Sequence, residues 1–257
     1  MKRLFGSLFV LTFLVSAAVA QKPDSSKTPD PKPVAPPSVK LPAAKDVVEK
    51  YVKAIGGKDA YLKHRSRVES GTIELTPMGL KGTYENLSVS DNRVFSKISI
   101  DGFGDVLNSF DGKLGWSSNP AQGSRLREGK ELEQFRHQSI YDREVNPEKA
   151  FTSLVVRGVE NVGDRKTYVL VGSTSGLPDE IIYFDVDSGL VLRRDNILLA
   201  PEGQQATTAF YEDYRDVGGV KWPFKTRAKT PAFELLFVVS EIKYDVPVED
   251  SKFKRPN

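Results

Sequence analysis

Two hydrophobic periods divide the chain. Between Ala44 and Ile55, Val47, Val48, Tyr51, Val52 and Ile55 share one helical face, with Lys45, Glu49, Lys50 and Lys53 opposite. This predicts an amphipathic helix closed by Gly56-Gly57, since glycine readily takes the left-handed conformation at a helix end. Lys58 to His64 continues as a short helical turn carrying Tyr61 and Leu62. The period then falls to two. Val94, Ser96, Ile98 and Ile100 alternate with Arg93, Phe95, Lys97 and Ser99, and Val68–Leu75 and Leu80–Val89 precede them as strands. Val106–Phe110 and Lys113–Ser117 flank a turn at Asp111-Gly112, and Asn119–Arg127 reads as a loop.

Glu128–Ile140 is helix-prone, and Asn146-Pro147 opens a further helical turn. Strands resume at Val155–Val162, Lys166–Gly172, Glu180–Val186, Leu190–Asn196, Gln205–Val217, Val220–Ala228 and Phe233–Tyr244. The short glycine-bearing turns between them call for antiparallel pairing, because parallel strands need long crossovers. The last strand is expected to be apolar on both sides, with Phe233, Leu235, Phe237 and Val239 on one and Leu236, Val238, Ile242 and Tyr244 on the other. Such a strand is covered on both faces, either by helices or by an apolar cavity. The fold class expected is α+β, mainly β.

Residues 1–20 read as a secretory signal peptide: Lys2 and Arg3, an apolar run from Leu4 to Val15, then Ala18-Val19-Ala20 before Gln21. Residues 21–42 hold 7 of the 16 prolines and read as a disordered Pro-rich tether. Residues 43–257 form the expected domain. The location expected is export to the periplasm, with secretion or N-terminal anchoring as alternatives. No later segment is long and apolar enough to span a bilayer as a helix.

Charge narrows the partners. Setting aside Lys2, Arg3, the lysines at 22, 27, 32 and 40, and Asp24 and Asp30 leaves 31 basic against 32 acidic residues. That near-neutral balance offers no electrostatic footprint for nucleic acid. The chain has no cysteine, which excludes disulfides, thiol nucleophiles and cysteine-based zinc sites. Its two histidines, His64 and His137, fall in no metal-ligating spacing, and neither a metal nor a cofactor is expected. Gly172-Ser173-Thr174-Ser175-Gly176 and Asp185-Val186-Asp187-Ser188-Gly189 read as turns rather than as a nucleophile elbow and a calcium loop.

Four segments carry a resemblance: VVEKYVKAIGGKDAYLK (Val47–Lys63), FDGKLGW (Phe110–Trp116), YFDVDSGLVLRR (Tyr183–Arg194) and YEDYRDVGGVKWPF (Tyr211–Phe224). In their order around the two meanders, the domain resembles the LolA-like superfamily of outer-membrane lipoprotein-sorting proteins. The resemblance implies an unclosed antiparallel β-barrel with helices packed in its mouth. It implies a non-enzymatic carrier or binder of lipid, acyl-chain or lipoprotein cargo. The groove residues expected to meet cargo are Phe95, Phe103, Phe110, Trp116, Phe135, Tyr183, Phe210, Leu235 and Phe237. The alternative is an envelope module that docks a protein partner. An enzyme would require His64 or His137 beside a carboxylate in a cleft.

Overall fold

The computed structural model describes residues 40–255. The expected signal peptide and residues 21–39 of the tether lie outside them. Helix α1 (Ala44–Ala54) forms where the apolar stripe predicts, and buries Val47 and Tyr51. Its end is set by a close approach. The Ile55 carbonyl accepts a hydrogen bond from Lys221 N at 2.9 Å. At Gly56 (φ 113°), a Cβ would lie 1.9 Å from the Gly219 carbonyl oxygen, so only glycine fits. Helix α2 (Lys58–Leu62) follows and buries Tyr61.

Thirteen strands form one antiparallel sheet. The first block is β1 (Ser66–Leu75), β2 (Leu80–Val89), β3 (Val94–Ile100), β4 (Gly104–Phe110), β5 (Gly115–Asn119) and β6 (Gly123–Leu126). Helix α3 (Gly129–Gln138) and a 3-10 turn at Pro147–Lys149 intervene. The second block is β7 (Ser153–Val162), β8 (Arg165–Ser173), β9 (Glu180–Asp185), β10 (Val191–Ala200), β11 (Gly203–Val217), β12 (Val220–Lys229) and β13 (Glu234–Tyr244). The spatial order runs from β6 down to β1, then β13 down to β7. The pairing of β1 with β13 therefore joins two meanders, and the outer strands β6 and β7 remain unpaired with each other. The result is the expected half-barrel.

Two local readings change. The expected loop at Asn119–Arg127 contains β6, which turns back on β5 through Gly123. The last strand is not two-sided. A bulge opposite Ser70 and Gly71 lets β13 skip a residue, pairing Ile242 with Glu69 but Val239 with Gly71. One extra residue resets the alternation. Ile242 and Tyr244 thus join Val239, Phe237 and Leu235 on one face, while Val238 on the other is 40% exposed. Gly71 permits this bend, since a Cβ there would lie 2.1 Å from the Val238 carbonyl oxygen.

The helices cover the concave face. The main core packs Val47, Tyr51, Ile55 and Tyr61 against Leu170, Ile182, Phe184, Val191 and Val220. Helix α3 crosses to the strand β10, whose distal part lacks β9 as a neighbour. There Gln134 replaces a strand, donating to the Ile197 carbonyl at 2.7 Å and accepting from Leu199 N at 2.8 Å. On the convex face, a C-terminal 3-10 turn (Asp250–Phe253) seats Phe253 against Leu87 and Val89.

Candidate functional site

The register sorts the expected groove residues between two faces. On β1, β2 and β3, the residues sharing the concave face include Arg67, Glu69, Ile73, Tyr84, Ser88, Val94, Ile98 and Ile100. Phe110 is on this face of β4, paired with Val94, and its ring lies 5.9 Å from Phe135 of α3. Leu235 and Phe237 are there too, paired with Leu75 and Ile73, and Phe237 meets the Tyr84 ring edge-on at 5.2 Å. Phe95 and Trp116 occupy the convex face, where Trp116 Nε1 donates to the Phe253 carbonyl at 2.8 Å. Tyr183 and Phe210 are also convex, both paired with Arg193, whose guanidinium lies over the two rings. Phe103 is exposed in the turn between β3 and β4. The structure therefore brings Phe110, Phe135, Leu235 and Phe237 to the concave face and leaves the other five outside it. Alternation shows which residues share a face of one strand, but not which face turns inward.

The concave face carries two different surfaces. Near the open end, Ile98, Ile100, Val106, Leu235 and Phe237 are half-buried around the buried Ile73 and Tyr84. Beyond them, beneath the helices, is a cavity of about 300 Å³ whose lining includes Arg67, Glu69, Tyr61, Tyr211, Trp222 and Thr226. The two surfaces adjoin. The Tyr84 hydroxyl donates to Glu69 Oε1 at 2.8 Å, and Thr226 of the cavity is the strand partner of Phe237.

The cavity wall is ionic, which the hydrophobic pattern does not foretell. Arg143 meets Glu180 at 2.5 Å, Arg194 meets Glu180 at 3.0 Å and Glu144 at 2.5 Å, and the Tyr51 hydroxyl donates to Glu144 at 2.7 Å. Burial alone would raise the Glu144 carboxyl, but Arg194 and Arg143 outweigh it and hold Glu144 below the usual carboxylate range. Arg194 is likewise raised despite burial by Glu144 and Glu180. These four charges satisfy one another. Burial pushes the Tyr61 phenol up to about 12, and its hydroxyl donates to the Tyr141 carbonyl at 2.9 Å, tying α2 to the segment after α3. Arg67 stands apart. Its guanidinium stacks 3.8 Å from the Trp222 ring centroid, and no carboxylate among the described residues is at ion-pair distance. Burial alone would lower the Arg67 pKa, but the Tyr61 phenol and the Glu69 charge outweigh it and raise it.

Both histidines are held by hydrogen bonds, His64 in the link between α2 and β1 and His137 in the last turn of α3. His64 Nδ1 lies 2.9 Å from Asp245 Oδ2, beside a cleft that it lines with Asn92 and Asp142. The His64 ring is stacked 3.7 Å on Tyr244, and its Nε2 is buried without a partner, so the dyad presents no base to the cleft. His137 Nε2 and the Thr174 hydroxyl converge on the Ala150 carbonyl, the latter at 2.7 Å. Thr174 is thus a donor to a peptide oxygen and not an activated nucleophile. Asp185 is saturated by Arg165 at 2.6 Å and by Ser188 N at 2.6 Å within its own turn. Among the described residues, no group of three His, Asp or Glu side chains could hold a metal ion.

Burial, then the nearby Arg143 charge, lowers the His137 pKa below its ordinary 6.5. The unfolded chain therefore takes up this proton before the folded one does, and stability falls as pH drops below about 6.5. We expect urea midpoints to decrease from pH 7 to pH 5.5, and His137→Gln to flatten that slope. An unchanged slope in the variant would assign it to other groups.

No family model matches the sequence, and no curated protein does. Solved structures do share the fold. A DUF1329 family protein from Desulfovibrio piger superposes with a TM-score of 0.53 at 17% identity, over 83% of this chain and 98% of the other. A LolA superfamily protein from Nitrosomonas europaea gives 0.51 at 14%, over 83% and 98%. An outer membrane lipoprotein-sorting protein domain from Vibrio parahaemolyticus gives 0.53 at 12%, over 82% and 97%. The chain has the LolA-like fold. Among its described residues, no helix is long and apolar enough to cross a membrane.

Proposed function

We propose that this protein is a non-enzymatic binder or carrier of amphipathic, acyl-chain-bearing cargo in the bacterial envelope. The observation that carries the proposal is the adjacency on one concave face of a half-buried apolar strip and a polar, tyrosine-rich cavity. An acyl chain laid on Ile98, Leu235 and Phe237 removes apolar surface on both sides from water, at about 0.8 kcal/mol per methylene. The polar end of the same molecule then falls beside groups able to hydrogen-bond it. The export signal read at residues 1–20 supports an envelope location, and the fold it shares with lipoprotein-sorting domains is compatible with this role. The arrangement also disfavours catalysis, since neither histidine offers an accessible base.

A second reading rests on another surface. A groove of about 750 Å³ between α1 and residues 145–154 is lined by Val48, Val52, Phe151 and Leu154, a surface suited to a protein partner. Native mass spectrometry of the chain purified from a bacterial periplasm without detergent separates the two. The expected result is an adduct with the mass of a lipid or acyl chain that organic extraction removes. A clean apo mass, with no uptake of added fluorescent fatty acid, would reject the carrier reading in favour of the protein partner.

A further inference from the structure

The charges in the cavity specify more than a polar cargo end. Arg143, Arg194, Glu144 and Glu180 form a self-neutralised quartet. Three charges of the lining have no ion-pair partner among the described residues: Arg67 and Glu69, two residues apart on the same face of β1, and Lys221. Arg67 and Glu69 do not satisfy each other at ion-pair distance. Glu69 Oε1 accepts from Tyr84, leaving Oε2 for another donor. The Arg67 guanidinium, stacked on Trp222 and beside the Tyr61 phenol, lines the cavity and carries five N–H donors. Tyr211 lines the same space, near Arg194 and Glu144, and among the described residues its hydroxyl makes no hydrogen bond. Charges in such a partly enclosed site act more strongly on a ligand than in bulk water.

We propose that this cavity binds the zwitterionic head group of a lipid, with Arg67 and Tyr211 holding the phosphate and Glu69 holding the ammonium. The inference rests on the carrier reading above. A purely anionic head would bring its charge against Glu69, and a purely cationic one against Arg67. A head with both signs on a short spacer satisfies both residues. Arginine suits the phosphate because its planar fork can give two parallel hydrogen bonds. A volume of about 300 Å³ is at the lower end for small-molecule sites, enough for a head group and not for the acyl chains. The chains have their path past Thr226 and Tyr84 onto the strip around Phe237. Lys221, exposed at the mouth, adds a positive charge that by itself would favour an anionic head, so the choice between zwitterion and anion is the sharp test.

Trp222 under Arg67 provides the readout, against a background from Trp116 on the convex face. Its fluorescence is titrated with dihexanoyl phosphatidylethanolamine, dihexanoyl phosphatidylglycerol and free O-phosphoethanolamine, the lipids being kept below their micelle concentrations. The wild-type chain should bind the ethanolamine lipid at least tenfold more tightly than the glycerol lipid. Glu69→Gln, which keeps an acceptor for Tyr84, should abolish most of that preference. Arg67→Met, which retains an apolar stem on Trp222, should weaken both lipids at least tenfold. Equal affinity of the wild type for the two lipids overturns the proposal, as does a preference that survives Glu69→Gln. Free phosphoethanolamine binding as tightly as the lipid would overturn the lipid source and indicate a soluble ligand. Fluorescent fatty acid provides the separate control. If it binds while the two lipids are not distinguished, only the head-group inference fails; if nothing binds, the carrier reading fails as well.

Discussion

Replacing Arg194 by alanine should destabilise the folded chain by about 3–5 kcal/mol, the cost of breaking a buried ion pair from one side. Arg194 joins Glu144 and Glu180, and all three side chains are at most 18% exposed. Its removal leaves Glu180 with Arg143, and Glu144 with the Tyr51 hydroxyl and the Arg143 charge but no ion pair of its own. A buried carboxylate without its bridge must then take up a proton or admit water, and both oppose the folded state. The loss appears as a lower urea midpoint at pH 7 with an unchanged slope. Arg194→Met combined with Glu144→Gln removes both charges of one pair and keeps Arg143–Glu180 intact. It should recover more than half of the loss, because the penalty arises from the unpaired charge and not from the absence of the bridge. A loss below about 1 kcal/mol in the alanine variant would mean that the network behaves like a solvated surface pair.

Phe237→Asp should weaken binding of a long-chain fatty acid by on the order of 30- to 100-fold. This equals about 2–3 kcal/mol, the contribution of three or four buried methylenes. Phe237 is half-buried on the concave face against Tyr84, where a carboxylate would hold water on the path of the chain. Phe210→Asp is the matched control. Its ring is convex, among Arg193, Arg227 and Lys229, so an acidic replacement finds cations there and should leave binding within about twofold. Fluorescent fatty acid displacement, with melting temperature as a check on folding, distinguishes the two. Equal effects would place the cargo elsewhere than on the concave strip.

Much of the local structure was legible because it depends on short-range rules. The stripe from Val47 to Ile55 with Gly56-Gly57 behind it specifies α1 and its end, and the glycine turns specify the hairpins. The Asp185 turn was legible for the same reason, as its carboxylate is satisfied within three residues of chain and by the adjacent strand. The site was legible only in part. Leu235 and Phe237 were candidates because they are large and apolar, but so were Trp116 and Tyr183, and size does not encode which face curves inward.

The ionic cavity had no signal in the pattern of apolar residues. Arg67, Glu144, Glu180 and Arg194 are scattered over more than half the domain and read singly as ordinary surface charges. A clue was available in Arg67 and Glu69, which replace apolar residues at alternate positions of a strand that later carries Gly71 and Ile73 on that face. Most elements, the antiparallel order of neighbouring strands and the lack of thiol chemistry were legible in the chain itself, since each follows from residues near one another; β6, hidden in a stretch of turn-formers, was not. The joining of β1 to β13, the bulge that turns Ile242 inward and the meeting of charges from distant segments appear only once the chain is folded. Those features depend on the long-range pairing and curvature of the sheet, whose geometry no local period records.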